Sequence, residues 1–147
     1  MERICTWAHF RNKNTDQEFI VFNAHLDHRG AESRLNAIKL ILQRARDMNT
    51  NNLPILVMGD LNALPESAPI QYLASVMNDS RNSTKTPPYG PPGTFNGFDT
   101  THPLDQRIDY IFVSDDITVL KYAALADTRQ QRTPSDHLPV FIHFGMD

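Results

Sequence analysis

The stretch from Glu18 to Asp60 constrains the fold more than any other part of the sequence. EFIVFNAH (18–25) reads as a strand with Phe19, Val21 and Phe22 at its heart. Ala31 to Met48 then places Leu35, Ile38, Ile41, Leu42 and Ala45 at helical spacing, with Arg34, Lys39, Arg44 and Arg46 left for the solvated side. Asn49 to Asn52 ends that helix, and PILVMGD (54–60) follows as a short apolar run of the buried-strand type. A strand, a helix and a strand in succession suggest an α/β layer arrangement.

The flanking segments extend this layer. Arg3 to Phe10 is strand-like, separated from the next strand by the polar turn RNKNTDQ, and Trp7 and Phe10 are expected to cover a sheet face. Ser67 is placed to cap a short helix with Pro69 in its first turn, which would turn Ile70, Leu73 and Ala74 to the core. Asn78 to Thr101 lacks apolar periodicity and carries Pro87, Pro88, Pro91 and Pro92, so it reads as a long surface excursion. Within it Tyr89, Phe95 and Phe98 are expected to anchor the loop rather than to stack a base. Three strands close the chain, Arg107 to Ser114, Ile117 to Tyr122 and Leu138 to Phe144, with an Asp115-Asp116 turn between the first two, and they suggest a β-meander. No repeat or domain boundary is visible, so residues 1–147 are read as a single α/β domain.

Composition narrows the function. A net charge of −3 gives no global attraction to nucleic acid. The lone Cys5 excludes an intramolecular disulfide and a thiolate metal site. No run approaches the roughly 18 apolar residues of a membrane span, and the start has no signal-peptide pattern, so a cytoplasmic location is expected. A serine-hydrolase elbow, G-x-S-x-G, is absent.

Ionisable residues instead collect at strand ends: His25, Asp60 with Asn62, Asp109, and Asp136-His137. An antiparallel meander would bring Asp109 and His137 to one edge, and two strands running the other way would deliver His25 and Asp60 to it. Asp109 paired with His137 would fix the imidazole tautomer, as a general base for water requires. Further carboxylates and an Asn suit a hard cation such as magnesium. The set points to phosphoester hydrolysis. Each residue also has a plainer reading: His25 as a hydrogen-bonding strand end, Asp60 and Asn62 as turn residues, Asp136-His137 as a turn before an edge strand. Asp109 resists it, because a carboxylate within IDYIFV needs a buried partner. His28 is expected to be exposed, not a metal partner of His25. Arg29 and Arg34 either support a phosphate or begin a solvated helix.

The segments NAHLDHR (23–29), PILVMGDLNALP (54–65), GTFNGF (93–98), RIDYIFVS (107–114) and PSDHLPV (134–140), in this order, resemble the C-terminal half of the endonuclease/exonuclease/phosphatase superfamily. The resemblance implies half of a four-layer α/β sandwich, a mixed sheet with flanking helices, and divalent-metal phosphoesterase chemistry with Mg2+ or Mn2+. It implies His137 as general base, Asp109 as its orienting partner, Asp136 and Asp60 toward the metal, and Asp60 as acid or positioner of the nucleophile. Asn62 and His25 would hold the phosphate. A phosphodiester is the expected ester; a nucleic acid, a small diester and a small phosphorylated metabolite are the candidate substrates, with Asn78 to Thr101 as the selecting loop.

The family's N-terminal half, with the Glu it uses as main metal ligand, has no counterpart in this sequence. Glu2 and Glu18 stand in the wrong context, and Glu32 and Glu66 start helices. The alternative to a working hydrolase is therefore a noncatalytic half-domain, with an open apolar face, that needs a homodimer or another partner to complete the site.

Overall fold

The computed structural model describes residues 3–146, which leaves Glu2 outside it. Strands β1 (Cys5–Arg11), β2 (Glu18–His25), β3 (Ile55–Asp60), β4 (Asn78–Asp79) and β5 (Asp109–Val113) form a mixed five-stranded sheet in the order β1-β2-β3-β5-β4. β2 and β3 are parallel, joined across α1 (Ala31–Met48); the other pairings are antiparallel. Strands β6 (Ile117–Ala124) and β7 (Val140–Met146) form a separate antiparallel pair.

Side-chain alternation sorts each central strand between two cores. Ile20, Phe22, Ala24, Val57, Tyr110 and Phe112 face α1 and α2 (Ala68–Ala74), where Ile38, Ile41, Ala45, Ile70 and Leu73 meet them. Leu56, Ile111 and Val113 point the other way, into a second core with Ile117 and Val119. The result is three layers: helices, the five-stranded sheet, and the β6–β7 pair. The first strand, the long helix and β3 lie where the sequence placed them.

Four expectations are corrected. The three C-terminal strands are not a meander, because β5 pairs with β3 and β4 while β6 and β7 pair only with each other. YIFV is apolar on both faces and so needs cover on both, which the chain supplies by crossing to the second layer after Asp115-Asp116. The stretch from Asn78 to Thr101 is not wholly superficial. It holds β4 and the short α3 (Ser80–Ser83), and it buries Asp79, Ser80, Thr94 and Asn96, polar residues that carry no hydrophobic period. Ser67 takes the N-cap position, yet its hydroxyl donates to Leu64 O instead of capping, and Ala74 faces solvent. Trp7 and Phe10, three apart in a strand, lie on opposite faces and stay half-exposed, Phe10 stacking on Phe19. The second face of the sheet is partly covered, with Phe19, Val21 and Met58 packed at the margin of the second core.

Candidate active site

One rung of the large sheet builds the site. His25 ends β2, Asp60 ends β3 and Asp109 begins β5, and in register His25 pairs with Asp60 and Asp60 with Asp109. Their side chains therefore emerge on the same face of three adjacent strands. Gly59, one residue earlier at φ +125°, permits the close approach of β2, since a Cβ there would lie 2.0 Å from Ala24 O.

His137 arrives from the segment before β7. Its Nδ1 lies 2.8 Å from Asp109 Oδ2, and its Nε2 is 3.9 Å from Asp60 Oδ2. An anionic Asp109 makes Nδ1 the protonated nitrogen and leaves Nε2 to accept a proton from the cleft. Burial works against a charged His137, but the hydrogen bond and charge of Asp109, with Asp60 and Asp136 adding, carry its pKa above the ordinary histidine value. Burial pushes Asp109 upward, against the hydrogen bonds it accepts from Thr94 and His137.

The loop through Thr94 holds this pair in place. Thr94 Oγ1 donates to Asp109 Oδ2 at 2.6 Å and accepts from the amides of Ile108 and Asp109, both at 3.1 Å. Its carbonyl accepts from the Leu138 amide at 2.7 Å. Buried Asn96 donates through Nδ2 to Ser135 O, while the Asn96 and Gly97 amides both donate to Asp136 O. Phe95 sets its ring edge-on to His137 at 5.3 Å between centroids. Nothing in hydrophobic periodicity marks Thr94, Phe95 or Asn96 as site residues; the signal available was a Thr and an Asn between glycines in GTFNG.

The remaining sequence candidates line the same open cleft, of about 410 Å³: His25, Asn62 and Asp136, with Arg3 and His28 beside them. His28 is exposed, as expected. His25 Nε2 is 3.2 Å from Asp60 Oδ2. Asn62, at φ +48°, donates its amide N–H to Asp60 Oδ1 at 2.9 Å, and its Nδ2 donates to Asp60 Oδ2 and to Leu26 O. Both side-chain N–H groups are thus engaged, so donation to a phosphoryl oxygen would replace one of these bonds. Arg34 donates to Asp27 O and shapes the turn before α1, apart from the cleft. Arg3, unremarked in the sequence because it sits at the start of the chain, donates across both histidines.

Ligand atoms of Asp60, Asp109 and His137 lie within 4.8 Å of one another. Asp109 and His137 already engage each other; Asp60 and Asp136 also line the cleft, Asp60 while accepting from Asn62, and a cation would share their oxygens with the hydrogen bonds they accept there. One or two carboxylates in an open, wet cleft suit a hard cation that keeps most of its waters, as Mg2+ does. The donor set fits on that basis.

Residues 3–137 match the profile of the Endonuclease/Exonuclease/phosphatase family. The "Protein angel" of Drosophila melanogaster is 31% identical over 91 residues, 58% of this chain and 25% of that protein. An endonuclease/exonuclease/phosphatase family protein from Bacteroides thetaiotaomicron superposes with a TM-score of 0.92 at 36% identity, over 99% of this chain and 57% of that one. A mannosyl-6-phosphatase from the same organism gives a TM-score of 0.91 at 36% identity, over 98% and 57%. The chain therefore spans little more than half the length of these structural relatives. Among the described residues, no helix is long and apolar enough to cross a membrane.

Proposed function

Because the chain belongs to the endonuclease/exonuclease/phosphatase family, we propose that it carries the catalytic edge of a divalent-metal-dependent phosphoester hydrolase. The observation that supports this most is the Asp109–His137 contact at 2.8 Å, with Nε2 of the same ring directed toward Asp60. In this reading His137 Nε2 takes a proton from the attacking water as oxygen attacks phosphorus. Asp109 holds Nδ1–H and stabilises the imidazolium that forms. Asp60 positions the nucleophile or returns a proton to the leaving oxygen, and His25 with Asn62 holds the phosphoryl oxygens where negative charge grows. A Mg2+ or Mn2+ ion held by Asp60 and Asp136 would supply charge neutralisation at those oxygens.

The chain's coverage of 57% of its structural relatives supports a second reading, in which this edge turns over only when a partner or a second copy completes it. Assays of 4-nitrophenyl phosphate and bis(4-nitrophenyl) phosphate with Mg2+, on wild type and Asp109→Asn, separate the two. The hydrolase reading expects wild-type turnover that falls about 10²-fold or more in the variant. A folded wild type without turnover favours the half-site.

A further inference from the structure

The outer end of the cleft holds more hydrogen-bond donors than acceptors. Arg3 places Nη1 2.9 Å from His25 Nε2 and Nη2 3.0 Å from His28 Nδ1. Arg29 Nε approaches the other nitrogen of His28, Nε2, at 3.1 Å. A neutral imidazole has one lone pair to offer, and a guanidinium only donates. His28 can satisfy one of its two arginines, not both. His25 Nε2 is contested as well, between the donor-only Arg3 and the acceptor-only Asp60 carboxylate 3.2 Å away. Among the described residues Arg3 has no carboxylate partner, since the ion pairs run His25 to Asp60 and His28 to Asp27, and its Nε has no hydrogen-bond partner. A guanidinium clamped between two rings and short of acceptors is preorganised for an anion.

We propose that Arg3 is a substrate-recognition residue that selects phosphomonoesters. The assignment rests on the reading that His25 binds the phosphate. A phosphoryl oxygen seated between His25 and Arg3 accepts from both and removes the conflict at Nε2. A phosphomonoester brings a charge of about −1.5 to −2 at pH 7 and three acceptor oxygens, enough to reach the inner residues and Arg3 together. A diester brings a single charge and two terminal oxygens, and its second ester arm must pass the Arg3–His28–Arg29 corner. The mannosyl-6-phosphatase that superposes over 98% of this chain is named for a monoester activity, in keeping with this choice over the diester expected from the sequence.

The test is binding, which needs no turnover. Histidine ring resonances of the metal-free chain are followed by NMR at pH 7.5 while inorganic phosphate or dimethyl phosphate is added, for wild type, Arg3→Gln and Arg3→Lys. Expected are shifts at His25 and His28 with phosphate, at least about tenfold weaker binding of dimethyl phosphate, and an affinity for phosphate about tenfold lower in Arg3→Gln, partly restored in Arg3→Lys, which keeps the charge without the fork. Unchanged spectra away from the cleft establish that the variants are folded. Absence of phosphate binding to wild type, equal affinity for the two ligands, or an Arg3→Gln affinity equal to wild type overturns the assignment. Phosphate binding that depends on Arg3 in a chain without hydrolysis sinks the hydrolase reading and leaves this one standing.

Discussion

Thr94 Oγ1 donates to the same Asp109 oxygen that receives His137 Nδ1, at 2.6 Å and 2.8 Å, so one loop hydroxyl sets the position of the carboxylate that sets the histidine. Thr94→Val keeps the shape and removes this link. It leaves the Ile108 and Asp109 amides without their acceptor and is expected to cost about 1–3 kcal/mol, read as a lower urea midpoint at unchanged m. A midpoint within error of wild type contradicts the role given to Thr94.

The pH behaviour of His137 follows from its neighbours. In the metal-free chain it titrates above the ordinary 6.5, and replacing its orienting carboxylate by Asp109→Asn brings the value down. The sign for stability is that of a raised folded-state pKa: the contribution is fully present below about 6.5 and is lost as pH rises through the folded value. NMR titration of the ring protons measures both, and a wild-type His137 that titrates below 6.5 contradicts the account. As a base the residue must be neutral, so turnover rises with pH as His137 loses its proton, at a value that a cation on Asp60 and Asp136 draws below the metal-free one.

Asp79 and Arg107 form a buried bidentate pair at 3.1 and 2.7 Å, with the guanidinium over the Tyr110 ring. Tyr110 OH in turn donates to Ala63 O or Arg107 O, and burial holds its phenol well above the ordinary range. Asp79→Asn leaves Arg107 charged, buried and half-partnered, and is expected to cost about 3–5 kcal/mol in chemical denaturation. A loss under about 1 kcal/mol would mean that the pair is dispensable to the fold.

Asp60 and Asp136 are the carboxylates expected to face a cation. Calorimetric titration with Mg2+ should show binding that weakens at least about tenfold in Asp60→Asn and in Asp136→Asn, without loss of far-UV helix signal. Equal affinity in wild type and both variants places the cation elsewhere.

Much of this was legible in the sequence. β2 and α1 carry regular apolar patterns and β3 a short apolar run, and the conspicuous polar residues His25, Asp60, Asp109 and His137 stand at strand ends, Asp109 within IDYIFV, where a carboxylate demands a partner. The convergence holds for a different reason from the one the sequence suggests: Asp109 and His137 meet through β5 and the Thr94 loop, not through the like-directed first and third strands of a meander. Strand periodicity states which faces are apolar but not which layer covers them, so the crossing of β6 out of the sheet was invisible. Thr94, Asn96, Asp79 and Arg107 are held by hydrogen bonds between distant segments, and such bonds leave no periodic trace. Arg3 is a single residue whose meaning appears only when β1 lies beside β2.

The central claim, that His137 is the base of a metal-dependent phosphoester hydrolysis, is tested most directly by hydrolysis of 4-nitrophenyl phosphate with Mg2+ and with chelator, by wild type and His137→Ala purified side by side. The account predicts turnover by wild type that chelator abolishes and that His137→Ala lowers about 10²-fold or more. Equal rates in the two proteins, or a folded wild type with no magnesium-dependent turnover, would contradict it.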